Sequence, residues 1–202
     1  MKSRVVSSAM KATASTGIAL GLMATPIPAV AKNEFMVVAD EMTDAKQGLA
    51  VMNFGGEVAV LARCDTNGPD SLYIVFSSRA FLGERLSRYS GLKTPAGKAY
   101  NSAKVRFDGK EPYDVKVVYG KTAASVASLK PGSEGERLLL DLANSKRIAL
   151  ELRNYDFEPI QTSFDLEDAA SVIKQAATTC GDASILERIA ASSQPQNPAT
   201  AN

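Results

Sequence analysis

Histidine and tryptophan are absent from the 202-residue chain, and cysteine occurs only twice. Without imidazole, Ser-His-Asp hydrolysis, histidine-based proton shuttling and ordinary zinc catalysis all lose their usual residue. Two cysteines alone cannot complete a tetrahedral metal site. A catalytic thiol would want a histidine neighbour, and no C-x-x-C redox pair exists. Charge of one sign is missing too: 23 Lys and Arg stand against 22 Asp and Glu. That balance leaves no clustered basic face of the kind nucleic acid requires.

The first acidic residue is Glu34, so the start of the chain is basic and apolar. Lys2, Arg4 and Lys11 precede a mostly apolar run from Thr16 to Val30, and Ala29-Val30-Ala31 supplies small residues around a cleavage point. Those are the parts of a secretory signal peptide covering residues 1–31. Pro26 and Pro28 interrupt the run, which falls short of the ~20 apolar residues a spanning helix needs. No membrane span is expected after cleavage. The absence of an Arg-Arg pair favours the general secretory route. Removing residues 1–31 takes three of the 23 cations and none of the 22 acids, leaving 20 − 22 = −2. The remainder suits one β-rich domain over residues 32–191, followed by a disordered Gln-, Pro- and Asn-rich tail at 192–202.

Export to an oxidising compartment, with two cysteines and none left over, pairs Cys64 with Cys180. In the chain-entropy model a bridge across such a separation contributes about 4 to 5 kcal/mol.

Seven strands follow from pattern and turn chemistry. Residues 48–54 and 57–64 flank Gly55-Gly56, a hairpin signal, and 71–77 complete a meander after the turn-forming run Asp65 to Asp70. Residues 78–103 form a long connection, with room for a short edge strand. Residues 104–107 and 113–119 flank Asp108-Gly109, another hairpin cue. Residues 147–152 alternate cleanly, and 159–164 make the last strand. Ser133-Glu-Gly-Glu136 has capping-box spacing at the start of a helix over 134–143. Asp165 is expected to cap a C-terminal helix whose Leu166, Ala169, Ile173, Ala176 and Cys180 form one stripe. The fold class is therefore α+β, mainly β: an antiparallel sheet or sandwich of about seven strands, with the C-terminal helix tied on by the disulfide.

Several motifs invite a catalytic role. Asp65 to Asp70 resembles a calcium loop, but Asp70 stands where glycine belongs and Phe76 where glutamate belongs. Gly120-Lys121-Thr122 matches the end of a P-loop whose leading glycine is replaced by Val115. Ser171-Val-Ile-Lys174 matches the Ser-x-x-Lys of penicillin-recognising enzymes, without the accompanying Lys-Thr-Gly or Ser-Asp-Asn. Asp165 with Asp168, or Asp108 with Glu111, could serve as paired acids in glycoside cleavage, though each has a plainer use as cap or turn. Tyr73, Tyr113, Tyr119 and Tyr155 could line a groove, though strand tyrosines more often pack at core edges. A small histidine-free envelope hydrolase using Ser171/Lys174 or paired carboxylates thus stands as the alternative to a non-catalytic interaction or accessory protein. No cofactor is expected.

The order Arg63-Cys64, Leu72-Tyr73-Ile74, Arg106-Phe107-Asp108, Phe164-Asp165-Leu166 and finally Cys180 resembles the VasI-like accessory proteins of type VI secretion and related small periplasmic domains. The resemblance spans residues 42–180 on short motifs. It implies a β-rich, disulfide-closed, non-catalytic envelope domain. Only Cys64 and Cys180 receive a role from it, as the bridge. Apart from the resemblance, export places the chain in the periplasm or outside the cell, and an unidentified envelope protein is the expected partner.

Overall fold

The computed structural model describes residues 32–39, 46–64, 68, 71–82 and 101–193. Within them lie β1 (Lys32–Ala39), β2 (Lys46–Phe54), β3 (Val58–Cys64), β4 (Leu72–Ser78), β5 (Asn101–Phe107), β6 (Tyr113–Tyr119), β7 (Ala123–Val126), α1 (Glu134–Asn144), β8 (Arg147–Arg153), β9 (Pro159–Asp165), α2 (Ala169–Cys180) and α3 (Ala183–Ser192). Every neighbouring pair is antiparallel, in the order β1-β2-β3-β4-β7-β6-β5-β8-β9. The described strands thus form one nine-stranded sheet, which corrects both the sandwich alternative and the count of seven.

The two extra strands have physical reasons for escaping notice. Phe35 to Ala39 is a continuous apolar run on the sheet's edge, without the alternation that marks a half-buried strand. β7 is four residues of small side chains, Ala-Ala-Ser-Val, and becomes a strand only by pairing on both sides with β4 and β6. The expected signal peptide, most of the 65–70 turn, residues 83–100 and residues 194–202 lie outside the described residues. Ser192 closes α3 rather than opening a tail.

Alternation along the strands sends one set of side chains to a common core. Val60, Phe76, Val117, Val105, Leu150 and Phe164 are buried there with Leu138 and Leu142 of α1, Ile173 of α2 and Ile189 of α3. At the start of α1, Ser133 Oγ accepts from the Glu136 N–H at 3.1 Å. The Glu136 carboxylate reaches back one residue further than the usual capping box, to the Gly132 N–H at 2.6 Å. Its other oxygen meets Arg188 of α3 at 3.2 Å, joining the two helices.

Asp165 does not cap α2, contrary to expectation. It ends β9, and two further residues carry the chain to Asp168, which adopts a left-handed conformation (φ 61°) without a side-chain capping bond. The stripe itself is as expected: Leu166, Ala169, Ile173, Ala176 and Cys180 are all buried. α2 lies so close to β2 that a Cβ on Gly48 would stand 2.7 Å from the Ala176 Cα and 2.9 Å from the Thr179 Cβ. Gly48→Ala is therefore expected to cost about 2 kcal/mol, because helix backbone must move to admit one methyl. Urea denaturation measures it, and an unchanged midpoint would show that the contact is not tight.

Candidate functional site

The other face of the sheet carries the polar half of each alternating strand. Arg106 of β5, Ala149 of β8 and Ser163 of β9 stand side by side across three strands, and Lys104, Glu151 and Gln161 form the next row. These side chains, with Pro112, line a trough of about 500 Å³. Ala149 gives it depth: a methyl group stands between two longer side chains. The volume lies within the usual range for small-ligand sites, about 300 to 1,000 Å³.

Most of the charges around the trough are already paired. Glu151 accepts from Gln161 at 2.8 Å with one oxygen and meets Arg153 at 3.3 Å with the other. Arg147 donates to Ser163 Oγ at 3.0 Å and lies 3.6 Å from Asp165. Arg153 also donates to the Phe157 carbonyl at 3.0 Å. Lys104 has Asp114 and Glu151 as its cross-strand neighbours. The Lys104 and Arg106 side chains form no hydrogen bond or ion pair with another described residue, but Lys104 has a carboxylate on each cross-strand neighbour, whereas Arg106 faces Ala149 on β8. It is exposed, and its guanidinium can receive an anion with two parallel N–H bonds.

The Arg106-Phe107-Asp108 motif, which the sequence leaves without a role, divides its work among three directions. Arg106 faces the trough. Phe107 enters the core, with its ring 6.3 Å from that of Tyr113. Asp108, at φ 49°, turns the chain and accepts from the Lys146 and Arg147 N–H groups at 2.9 and 3.0 Å. That clamp holds β8 beside β5 and so fixes the floor of the trough.

The remaining candidates are scattered. Cys64 and Cys180 are joined in a disulfide across 116 residues, both fully buried. Ser171 and Lys174 lie on the exposed side of α2; Ser171 Oγ accepts from Gln175 at 3.4 Å and has no bond to Lys174 among the described residues. Asp165 pairs with Arg147 across the β8–β9 ladder, whereas Asp168 is exposed at the helix start. Asp108 is consumed by backbone donors and Glu111 is exposed. Among the described residues no group of three or more Cys, Asp or Glu gathers as metal ligands would. Gly120-Lys121-Thr122 forms the turn into β7, where Gly120 N–H bonds the Ala123 carbonyl at 2.6 Å.

The tyrosines do not form one groove. Tyr73 lies under Arg63 at 5.6 Å, on β4, and Tyr155 packs on Phe81 at 5.6 Å. Tyr113 donates to Asp141 at 2.7 Å with Arg137 over its ring at 3.8 Å. Burial, then the bond to Asp141, pushes its phenol far above the ordinary tyrosine range. Tyr119 donates to the Ser102 carbonyl and accepts from the Arg153 N–H, both at 3.2 Å, and burial raises its pKa as well. A raised folded-state value favours the protonated, folded form. This contribution to stability is complete below the unfolded value of about 10 and is lost as pH climbs beyond it. The urea midpoint is therefore expected to fall between pH 9 and pH 11, and to fall less in Tyr113→Phe. A midpoint that stays level across that interval would contradict the buried phenols.

No family model matches the chain, and comparison with curated proteins and with solved structures gives no significant match.

Proposed function

We propose that this chain is an exported, non-catalytic envelope domain that acts as an interaction or accessory protein and meets its partner on the open sheet face. The observation that carries this is the trough on β5, β8 and β9, where the Arg106 guanidinium has no partner among the described residues while Arg147, Arg153, Glu151 and Asp165 are tied in pairs. Export draws support from the buried Cys64–Cys180 bridge, since such bonds persist in oxidising compartments. Among the described residues no helix is long and apolar enough to cross a membrane. The motif resemblance to VasI-like accessory proteins agrees with a supporting role in the envelope.

Among the described residues, the hydroxyl in the same row as Arg106 and Ala149 is that of Ser163, and it accepts from Arg147. An activated serine needs a base beside it to take its proton, and a guanidinium does not serve. Binding is the chemistry this arrangement offers.

A photo-crosslinking residue at Ala149, introduced in the intact envelope, is expected to capture one defined protein, whereas the same residue at Gln175 on α2 captures none. Equal labelling from both positions would remove the open face as the interface. Turnover of a wall or ester substrate, or penicillin labelling lost in Ser171→Ala, would replace the proposal with the hydrolase.

A further inference from the structure

Resting on the open face as the interface, the geometry points to an acidic side chain of an extended peptide as the group this trough receives, with Arg106 as its seat. Three observations converge. No described side chain engages the Arg106 guanidinium, and its cross-strand neighbour is the small, neutral Ala149, whereas Lys104, also without an ion pair among the described residues, has Asp114 and Glu151 as its cross-strand neighbours. An unpaired guanidinium beside a neutral depression is a ready acceptor of a carboxylate, which it binds with two parallel hydrogen bonds. Beyond Ala149, Ser163 and Gln161 offer hydroxyl and amide groups, and at about 500 Å³ the space exceeds what one carboxylate fills. It suits a short run of peptide whose backbone amides bond to those side chains.

The local charge balance selects a carboxylate over more highly charged anions. Around the trough Lys104, Arg106, Arg147 and Arg153 stand against Asp114, Glu151 and Asp165. The excess is one positive charge, which a monoanion neutralises. A membrane surface is recognised instead by clusters of roughly four to eight cations. Here Asp114 and Glu151 flank Lys104, and Asp165 lies beyond Arg147, so an anionic bilayer would meet three carboxylates as well. Polar side chains at alternate positions of a strand repeat every 6 to 7 Å. An extended ligand laid across β5, β8 and β9 therefore meets the Arg106 row and the Lys104 row in turn. The first row takes the acid, and the second, where Lys104 stands between Asp114 and Glu151 and Glu151 is bonded to Gln161 and Arg153, takes a neutral residue.

The test is an NMR titration of the isotope-labelled protein with N-acetyl-Ala-Glu-Ala-amide, its glutamine analogue, its phosphoserine analogue, and vesicles of phosphatidylglycerol. The glutamate peptide is expected to shift the amides of Arg106, Ala149, Gln161 and Ser163 saturably. Its dissociation constant should be at least tenfold below that of the glutamine peptide and no higher than that of the phosphoserine peptide. Arg106→Ala should abolish the shifts, and Arg106→Lys should weaken binding about tenfold, because an ammonium cannot supply the fork. Lys130→Ala, remote on the loop before α1, should bind as the parent does. Equal affinity for the glutamate and glutamine peptides, or shifts that survive Arg106→Ala, would overturn the assignment. So would Arg106-dependent binding to vesicles in the absence of peptide binding, or stronger binding of phosphoserine. Each of these would leave the crosslink at Ala149 intact, whereas loss of that crosslink removes the interface itself.

Discussion

Cys64→Ala together with Cys180→Ala is expected to lower the unfolding free energy by about 4 kcal/mol, which for a domain of this size is a fall of about 8 to 16 °C in Tm. The bridge closes a loop of 116 residues that contains β4 to β9 and both of the first two helices. Both cysteines are fully buried, so alanine leaves only small voids, and most of the loss comes from the freedom returned to the unfolded chain. Alanine rather than serine keeps two buried hydroxyls from confusing the result. A double variant within about 1 kcal/mol of the parent would mean that the helices hold the sheet without the covalent tie.

Asp182→Ala carries the second large effect, a loss of about 3 kcal/mol. Asp182 is fully buried, lying between β4 and α3. One carboxylate oxygen accepts from the Leu72 N–H at 3.2 Å, and the other from Ser184 Oγ at 2.8 Å and the Ile185 N–H at 3.3 Å. Alanine would leave two backbone donors buried without partners and remove the helix cap. Asp182→Asn, which keeps an acceptor for one of the two strongest contacts, should lose about half as much. Chemical denaturation of the three proteins decides this. An Asn variant as unstable as the Ala variant would mean that the negative charge itself, not the acceptor geometry, holds the corner together.

These two effects belong to one place. Leu72, which Asp182 holds, pairs directly with Cys64 across the β3–β4 ladder, and Cys180 is two residues before Asp182. The Cys180 carbonyl also accepts from the Gly68 N–H at 2.7 Å. Sites sharing partners in this way couple by about 0.5 to 3 kcal/mol. The triple variant should therefore lose less than the sum of its parts, since freeing α2 already loosens the strand that Asp182 grips.

Much of this architecture is visible in the amino acids themselves. β8 reads directly because Ile148, Leu150 and Leu152 alternate with polar or small residues, and the structure buries those three. The α2 stripe reads because its period is helical and Gly181 terminates it in a left-handed conformation at φ 73°. β1 and β7 do not read, one because its stretch Phe35 to Ala39 is apolar without alternation and the other because Ala and Ser have little strand preference without neighbours. The start of α2 misleads because Asp165 has the composition of a cap, while its ladder to Arg147 keeps it in β9.

The candidate site is legible only as fragments. Arg106-Phe107-Asp108 stands out as a motif, but its division into trough, core and turn requires knowing which strand lies beside β5. β8 arrives there from 40 residues downstream, and nothing local to either segment announces the pairing. Ser171 and Lys174 match a catalytic spacing on α2, but their positions off the Ile173 stripe already mark a solvated face, and the structure exposes both, with Gln175 donating to Ser171 Oγ.

The most direct measurement is a thiol titration of the protein taken from the cell envelope and unfolded in guanidinium. Without reductant it should show no reactive sulfhydryl, and after reduction two per chain. Two sulfhydryls titrating before any reductant is added would contradict the clasp between β3 and α2, and with it the oxidising address on which the proposed role depends.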